Sequence, residues 1–313
     1  MRSFVFPGQG SQFVGMGKDL AEAFPVAREV FQEVDDTLDQ KLSKIMFEGA
    51  ESDLNLTENT QPALMAVSVA VARILSQAKP DLFSTTKIKC VAGHSLGEYS
   101  ALTAVGSFQL KDAAKLLKTR GQAMQKAVPV GVGAMAAILG LEIDDVMAIA
   151  KEASSDGVVA AANDNSFGQI VVSGDKAAVE KAIALATAKG AKRAIMLAVS
   201  APFHCSLMKP AADTMREALA AVDVKAPSVP VVANVTAGFV TDPAKIRQLL
   251  VDQVTGMVRW RESVLYMKSE GVTDLIELGA GKVLSGLTKR IDKELGGRSV
   301  GTPKDIEEFV ATL

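Results

Sequence analysis

The sequence predicts an α/β protein in which a parallel-sheet core is interrupted by a small inserted βαββαβ unit. Three observations predict it. Short apolar runs give way to glycine-rich turns and then to helical apolar stripes, the order from which parallel sheets are built. Between residues 131 and 199 the rhythm changes to short alternating strands and helices. A hydrophobic content of 48% over 313 residues is enough to bury a large core in one or two domains.

Ser3 to Phe6 is a short buried strand, ended by the loop Pro7-Gly8-Gln9-Gly10-Ser11-Gln12, which leads toward a helix. Thr60 is placed to cap a helix whose Leu64, Val67, Val71 and Ile74 recur at spacings of three and four, a stripe facing a core. Ile88 to Ala92 forms the next strand, and Gly93 to Glu98 turns it sharply into a helix reaching about Val105. A further helix runs from Lys111 to about Val128. Then come a strand (Ala134 to Leu139), a helix (Asp144 to Ala153), strands at Val158 to Ala162 and Gln169 to Ser173, a helix (Ala177 to Lys189) and a strand (Arg193 to Val199). That order is ferredoxin-like. The rest resumes α/β character, with a helix from Pro210 to Val222, strands near Val229 to Asn234 and Thr273 to Glu277, and a last helix from Lys282 to Leu295. The expected organisation is a discontinuous domain over 1–130 and 200–313 with an inserted subdomain over 131–199.

Composition narrows the function classes. With 34 Lys plus Arg against 36 Asp plus Glu, the net charge of −2 provides no global field for a polyanion, so nucleic acid is not an expected partner. Cys90 and Cys205 are too few for a disulfide framework, as in a reducing compartment, and His94 and His204 are the only histidines, so no metal site is expected. Met1 to Phe6 runs into Pro7 too soon for a signal-peptide core, and the most apolar run, Pro62 to Ala72, falls below the ~18 residues of a membrane span. A cytoplasmic protein with no membrane partner is expected.

The chemistry centres on Gly93-His94-Ser95-Leu96-Gly97. This is a G-x-S-x-G nucleophile elbow, lying between an apolar strand and a helix as that motif requires, and it gives the core its hydrolase-like character. The flanking glycines leave room where a side chain would crowd the strand and helix. Ser95 would sit near a helix N-terminus, where free N–H groups favour an oxyanion. Ser95 needs a base. His94 is adjacent, and neighbouring side chains diverge on a sharp elbow. His204, 109 positions later in the loop Ser200-Ala201-Pro202-Phe203-His204-Cys205, is the candidate. Cys205 reads as a small buried thiol. Gly8-Gln9-Gly10 opens like a dinucleotide fingerprint, but its sixth position is Phe13 and no P-loop lysine follows, so no nucleotide cofactor is expected there. Arg120 falls on the apolar stripe of Ala113, Leu117, Met124 and Ala127. A guanidinium turned toward a core needs acceptors. An internal ion pair and a substrate carboxylate satisfy that need equally well.

Phe6-Pro7-Gly8-Gln9-Gly10-Ser11-Gln12, Gly93-His94-Ser95-Leu96-Gly97-Glu98, Arg120, Pro202-Phe203-His204 and Lys282-Val283-Leu284 together resemble the malonyl-CoA:acyl carrier protein transacylases of bacterial fatty-acid synthesis, over nearly the whole chain. The resemblance implies that a malonyl group passes from malonyl-CoA to the phosphopantetheine thiol of acyl carrier protein through a malonyl-serine intermediate. It implies Ser95 as nucleophile, His204 as its base, the amides of Gln9 and Leu96 as the oxyanion hole, and Gln253 as the residue whose main chain orients His204. It also tips Arg120 toward the malonyl carboxylate. Phe167 and Ala280 depart from it, standing where such proteins often have proline. The alternative is a serine esterase or thioesterase, but the sequence lacks an HGGG-type segment, a Ser-Asp-His order and a use for Arg120. A non-catalytic binding module is disfavoured by the presence of both Ser95 and His204. A carrier protein is by resemblance small and acidic, and Lys282, Lys289 and Lys293, spaced by seven and four, with Arg290 beside them, form a candidate docking face. Val283, Leu284, Leu287 and Ile291 are expected to anchor the other face of that helix.

Overall fold

The computed structural model describes residues 1–199 and 201–313; Ser200, where the second half of the outer domain was expected to begin, lies outside the described residues. Among the described residues ten strands carry the architecture: β1 (Arg2–Phe6), β2 (Ile88–Gly93), β3 (Gly133–Leu139), β4 (Val159–Ser166), β5 (Gln169–Asp175), β6 (Arg193–Met196), β7 (Val231–Ala233), β8 (Gly238–Val240), β9 (Asp274–Leu278) and β10 (Gly296–Val300). Six form one sheet in the order β10-β9-β1-β2-β7-β8, in which every pairing is parallel except β7 with β8. β1 lies at its centre, and Phe4, Val5 and Phe6 are fully buried there, as an apolar run covered on both faces must be. The other four form an antiparallel sheet in the order β4-β5-β3-β6. Ala136, Ile138, Val146, Ile149, Val172 and Val179 close a separate core beneath it.

The Thr57–Ala78 helix is buried nearly all round. Thr60 does not cap it: the helix begins three residues earlier, and the Thr60 hydroxyl donates to the Leu54 and Leu56 carbonyls, at 2.6 and 3.2 Å. The hydroxyl thus serves backbone acceptors behind it, the usual bond of a threonine inside a helix. Among the described residues, no helix is long and apolar enough to cross a membrane.

The expected last helix is shorter and is not the last. It spans Val283–Ile291, with the Glu277 carboxylate of β9 accepting from Leu284 N and Ser285 N at 3.0 and 2.8 Å. Asp292 breaks it, taking Lys268 Nζ and Glu294 N on its carboxylate, after which Gly296 and Gly297 enter β10 and a helix at Pro303–Val310 follows. Lys293 therefore lies off the helix, and Val283 is 47% exposed rather than anchoring it; Leu284, Leu287 and Ile291 are buried as expected. Other strand boundaries move as well. The strand expected to reach Val199 stops at Met196, β7 is confined to Val231–Ala233, and β4 runs on to Ser166. The stretch 18–54 forms helices at Lys18–Ala23, Pro25–Leu38, Leu42–Glu48 and Glu51–Leu54.

β4 also bonds to the loop before the Trp260–Ser269 helix. Val258 N donates to the Ala162 carbonyl and Asp164 N to the Val258 carbonyl, both at 2.9 Å, so this outer strand is tied to that loop by a short parallel bridge. Arg261 pairs with the buried Asp164 carboxylate at 2.9 Å and lies 4.8 Å over the Phe167 ring. These bonds fix one wall of the cleft described next.

Candidate active site

Ser95 follows β2 and precedes the Gly97–Ala104 helix, with φ at 55°, a left-handed conformation that serine seldom adopts. Close backbone packing imposes it. A Cβ on Gly93 would lie 1.9 Å from the Gly97 carbonyl, and one on Gly97 would lie 2.2 Å from Phe6 O, so the elbow tolerates only glycine at both positions. Asn234, at the end of β7, clamps the turn: its Oδ1 accepts from Ser95 N and its Nδ2 donates to Gly93 O, both at 2.7 Å.

His204 reaches Ser95 from the loop beyond the second sheet, itself at φ 58°. Its Nδ1 lies 2.9 Å from Gln253 O and 3.1 Å from Gly256 O. Facing only carbonyl oxygens, that nitrogen carries the proton, which leaves Nε2 bare to accept from Ser95 Oγ at 2.8 Å. Main-chain carbonyls thus occupy the place that an Asp takes in a triad. Burial, reinforced by the Arg120 charge, pushes His204 down to about 3 against the pull of the Gln253 and Gly256 carbonyls, so the imidazole is neutral near neutral pH and able to take the Ser95 proton. His94 points elsewhere, its Nε2 2.8 Å from Asn165 Oδ1 and its ring 5.7 Å from Trp260. Cys205 is 1% exposed and donates to Pro202 O, and burial raises its thiol.

Arg120 is 1% exposed. Its Nη1 donates to Gln61 Oε1 at 2.7 Å, and its Nη2 donates to Gln253 Oε1 at 2.9 Å and to Ser95 Oγ at 3.1 Å. Its Nε is buried without a partner, and among the described residues no carboxylate lies within ion-pair distance. That arrangement is not an internal ion pair, one of the two readings the sequence leaves open for Arg120. Among the described residues, the N–H groups of Gln9 and Leu96 likewise have no protein acceptor. Gln9, Ser95, Leu96, Arg120 and His204 line one cavity of about 490 Å³, walled on its far side by Asn163, Val171 and other residues of the second sheet. The arrangement can deprotonate a hydroxyl, hold an oxyanion and bind a carboxylate.

Three further residues complete it: Gln61, Glu98 and Asn234. The Gln253 amide ties Glu98 and Asn234 to the elbow, because its Nε2 faces Ser95 O, Glu98 Oε2 and Asn234 Oδ1 at 3.0, 2.9 and 3.3 Å, while its Oε1 shares Arg120 with Gln61. Glu98 offered a signal in the sequence: a carboxyl directly after the elbow, at the start of an otherwise apolar helix. Burial raises it to about 7, against the bonds from Asn234 N and Gln253. A carboxyl whose folded value is raised holds its proton longer in the folded state, so its contribution to stability falls as pH rises from 4.5 to about 7. Glu98→Gln is expected to gain stability relative to the wild type across that window and to hold a constant difference above it, read as the difference in Tm at each pH. A difference independent of pH would contradict the shift.

Lys282, Lys289, Arg290 and Lys293 are all exposed, outside the cavity. Lys282 precedes the Val283–Ile291 helix and Lys293 follows it, so only Lys289 and Arg290 share its last turn. Arg290 Nη1 donates to Gln169 Oε1 at 2.7 Å, and Gln169 lines the cavity, which places this turn at the rim.

A family model described as acyl transferase domain matches residues 3–288. The malonyl CoA-acyl carrier protein transacylase of Bacillus subtilis strain 168 is 47% identical over 99% of this chain and 96% of its own length. Among solved structures, an acyl-carrier-protein-S-malonyltransferase from Bartonella henselae superposes with a TM-score of 0.97 at 53% identity, over 99% of this chain and 98% of that one. A malonyl-transacylase solved in complex with a type II PKS acyl-carrier protein superposes with a TM-score of 0.95 at 43% identity, covering 100% of this chain and 99% of that chain.

Proposed function

The chain belongs to the acyl transferase domain family, and within it to the malonyl CoA-acyl carrier protein transacylases; on that premise we propose that it moves a malonyl group from malonyl-CoA to the phosphopantetheine thiol of acyl carrier protein. Ser95 Oγ attacks the thioester carbonyl as its proton passes to His204 Nε2. The C–S bond breaks, and His204 returns the proton to the departing thiolate of CoA. The carrier thiol then reverses the sequence, giving its own proton to His204 and releasing Ser95. The amides of Gln9 and Leu96 hold the oxyanion in both halves, and the Gln253 carbonyl keeps His204 in the reactive tautomer.

Arg120 carries this reading. A fully buried guanidinium beside Ser95 Oγ, surrounded by amide oxygens and with a free Nε–H, lacks an anion, and the malonyl carboxylate supplies one. A serine esterase gives no use for that charge. Malonyl-CoA mixed with the protein should transfer its acyl group when phosphopantetheinylated carrier protein is present; free malonate formed at the same rate with or without the carrier would identify a hydrolase.

For the architecture, we read the six-stranded layer as hydrolase-like and residues 131–199 as a ferredoxin-like inserted subdomain, supported by the elbow after β2 and by the order β4-β5-β3-β6. A place in the cytoplasm, in fatty-acid synthesis, accords with two unpaired cysteines and with the motifs of the chain. Carrier docking is proposed at Lys289 and Arg290, with Lys282 and Lys293 flanking them, because an acidic partner needs local positive charge at the cavity rim. Charge reversal of Lys289 and Arg290 to Glu should raise KM for the carrier protein while sparing acylation by malonyl-CoA, and the wild-type KM should rise with salt. An unchanged KM at low ionic strength would move the docking surface elsewhere.

A further inference from the structure

Arg120 makes one contact that carboxylate recognition does not require, its Nη2 bond to the nucleophile at 3.1 Å. Because Ser95 gives its own proton to His204 Nε2, the Arg120 N–H is donated to a lone pair of Oγ, the orbital set that must attack the thioester. We propose that Arg120 restrains Ser95 while the site holds no carboxylate, and that the acid group of the incoming acyl chain releases the nucleophile by taking the guanidinium. The proposal rests on the malonyl-transfer reading and extends it, making the carboxylate a trigger of acylation as well as an anchor.

The hydrogen-bond inventory explains why binding and release are linked. A guanidinium offers a carboxylate two forks, Nε with Nη2 and Nη1 with Nη2, so both use an Nη2 proton. Both Nη2 protons are engaged, one by Gln253 Oε1 and one by Ser95 Oγ. Gln253 cannot withdraw, since its amide is held from behind by Ser95 O, Glu98 and Asn234. Ser95 Oγ yields, keeping His204 as its partner. The same neutralisation lifts the Arg120 charge that weakens His204 as a base. In the acylation step itself the Oγ–C bond forms, the C–S bond breaks, the Ser95 proton reaches the CoA sulfur through His204, and the malonyl carboxylate stays unchanged on Arg120. A neutral acyl group would meet a restrained nucleophile, so selectivity would arise in the rate of acylation as well as in binding.

The test uses a small uncharged electrophile, methanesulfonyl fluoride, which forms an Oγ–S bond with loss of fluoride while His204 passes the proton to water. Labelling of Ser95 is followed by mass in the wild type and in Arg120→Ala and Arg120→Met, the second retaining bulk should the first fold poorly. Labelling at least roughly threefold faster in the variants supports restraint, as does acceleration of wild-type labelling by formate over a chloride control that disappears in both variants. Labelling that is unchanged or slower in the variants would overturn the proposal, since a guanidinium that merely anchors substrate has no effect on it and one that promotes Ser95 ionisation has the opposite effect. Formate without effect on the wild type would also overturn it. Malonyl transfer by the wild type, measured in parallel, separates this failure from failure of the function itself.

Discussion

His204→Ala is expected to slow malonylation of Ser95 by about a hundred- to ten-thousand-fold near neutral pH, the usual contribution of a positioned general base. The effect should be large because, among the described residues, the one proton acceptor facing Ser95 Oγ is His204 Nε2 at 2.8 Å, and the carbonyls of Gln253 and Gly256 fix that nitrogen in its proton-accepting form. His94→Ala is the control. That ring bonds Asn165 and packs near Trp260, so its loss should perturb the cavity wall and reduce acylation far less. Single-turnover acylation rates for the two variants measure the division of roles directly, and comparable rates would refute it.

Arg120→Ala is expected to lower kcat/KM for malonyl transfer by about 30-fold to several thousand-fold, corresponding to about 2–5 kcal/mol for truncating one partner of a buried charged pair. The variant should also lose folding stability, because Gln61 Oε1 and Gln253 Oε1 would be stranded in a buried site. Acetyl transfer should suffer far less, as acetyl has no carboxylate to lose its partner. Equal losses for both acyl groups would make Arg120 a structural residue.

The elbow was legible because its chemistry is local: two glycines, a serine and the flanking strand and helix lie within a few residues. His204 was legible by elimination, with only two histidines in the chain. Arg120 stood out as a cation on an apolar stripe, but its partners did not, since Gln61 and Gln253 come from helices far away in sequence and have no pattern that marks them as neighbours. Gln253 lies on the Pro243–Thr255 helix, and no pattern in that segment beyond the family resemblance points to it. Asn234 ends an apolar strand and reads as an ordinary turn residue until the parallel pairing of β2 with β7 brings it to Ser95. The end of the Val283–Ile291 helix was missed for a related reason. Its stop depends on Asp292 being held by Lys268 from another helix, a tertiary contact that overrides a favourable local run.

Every role argued above depends on Ser95 carrying the acyl group. Intact mass after brief exposure to malonyl-CoA, in the wild type and in Ser95→Ala, tests that most directly. The wild type should gain one malonyl group, mapping to the peptide that contains Ser95, and Ser95→Ala should gain none. An increment that persists in Ser95→Ala, or that maps to Cys205, would contradict the account.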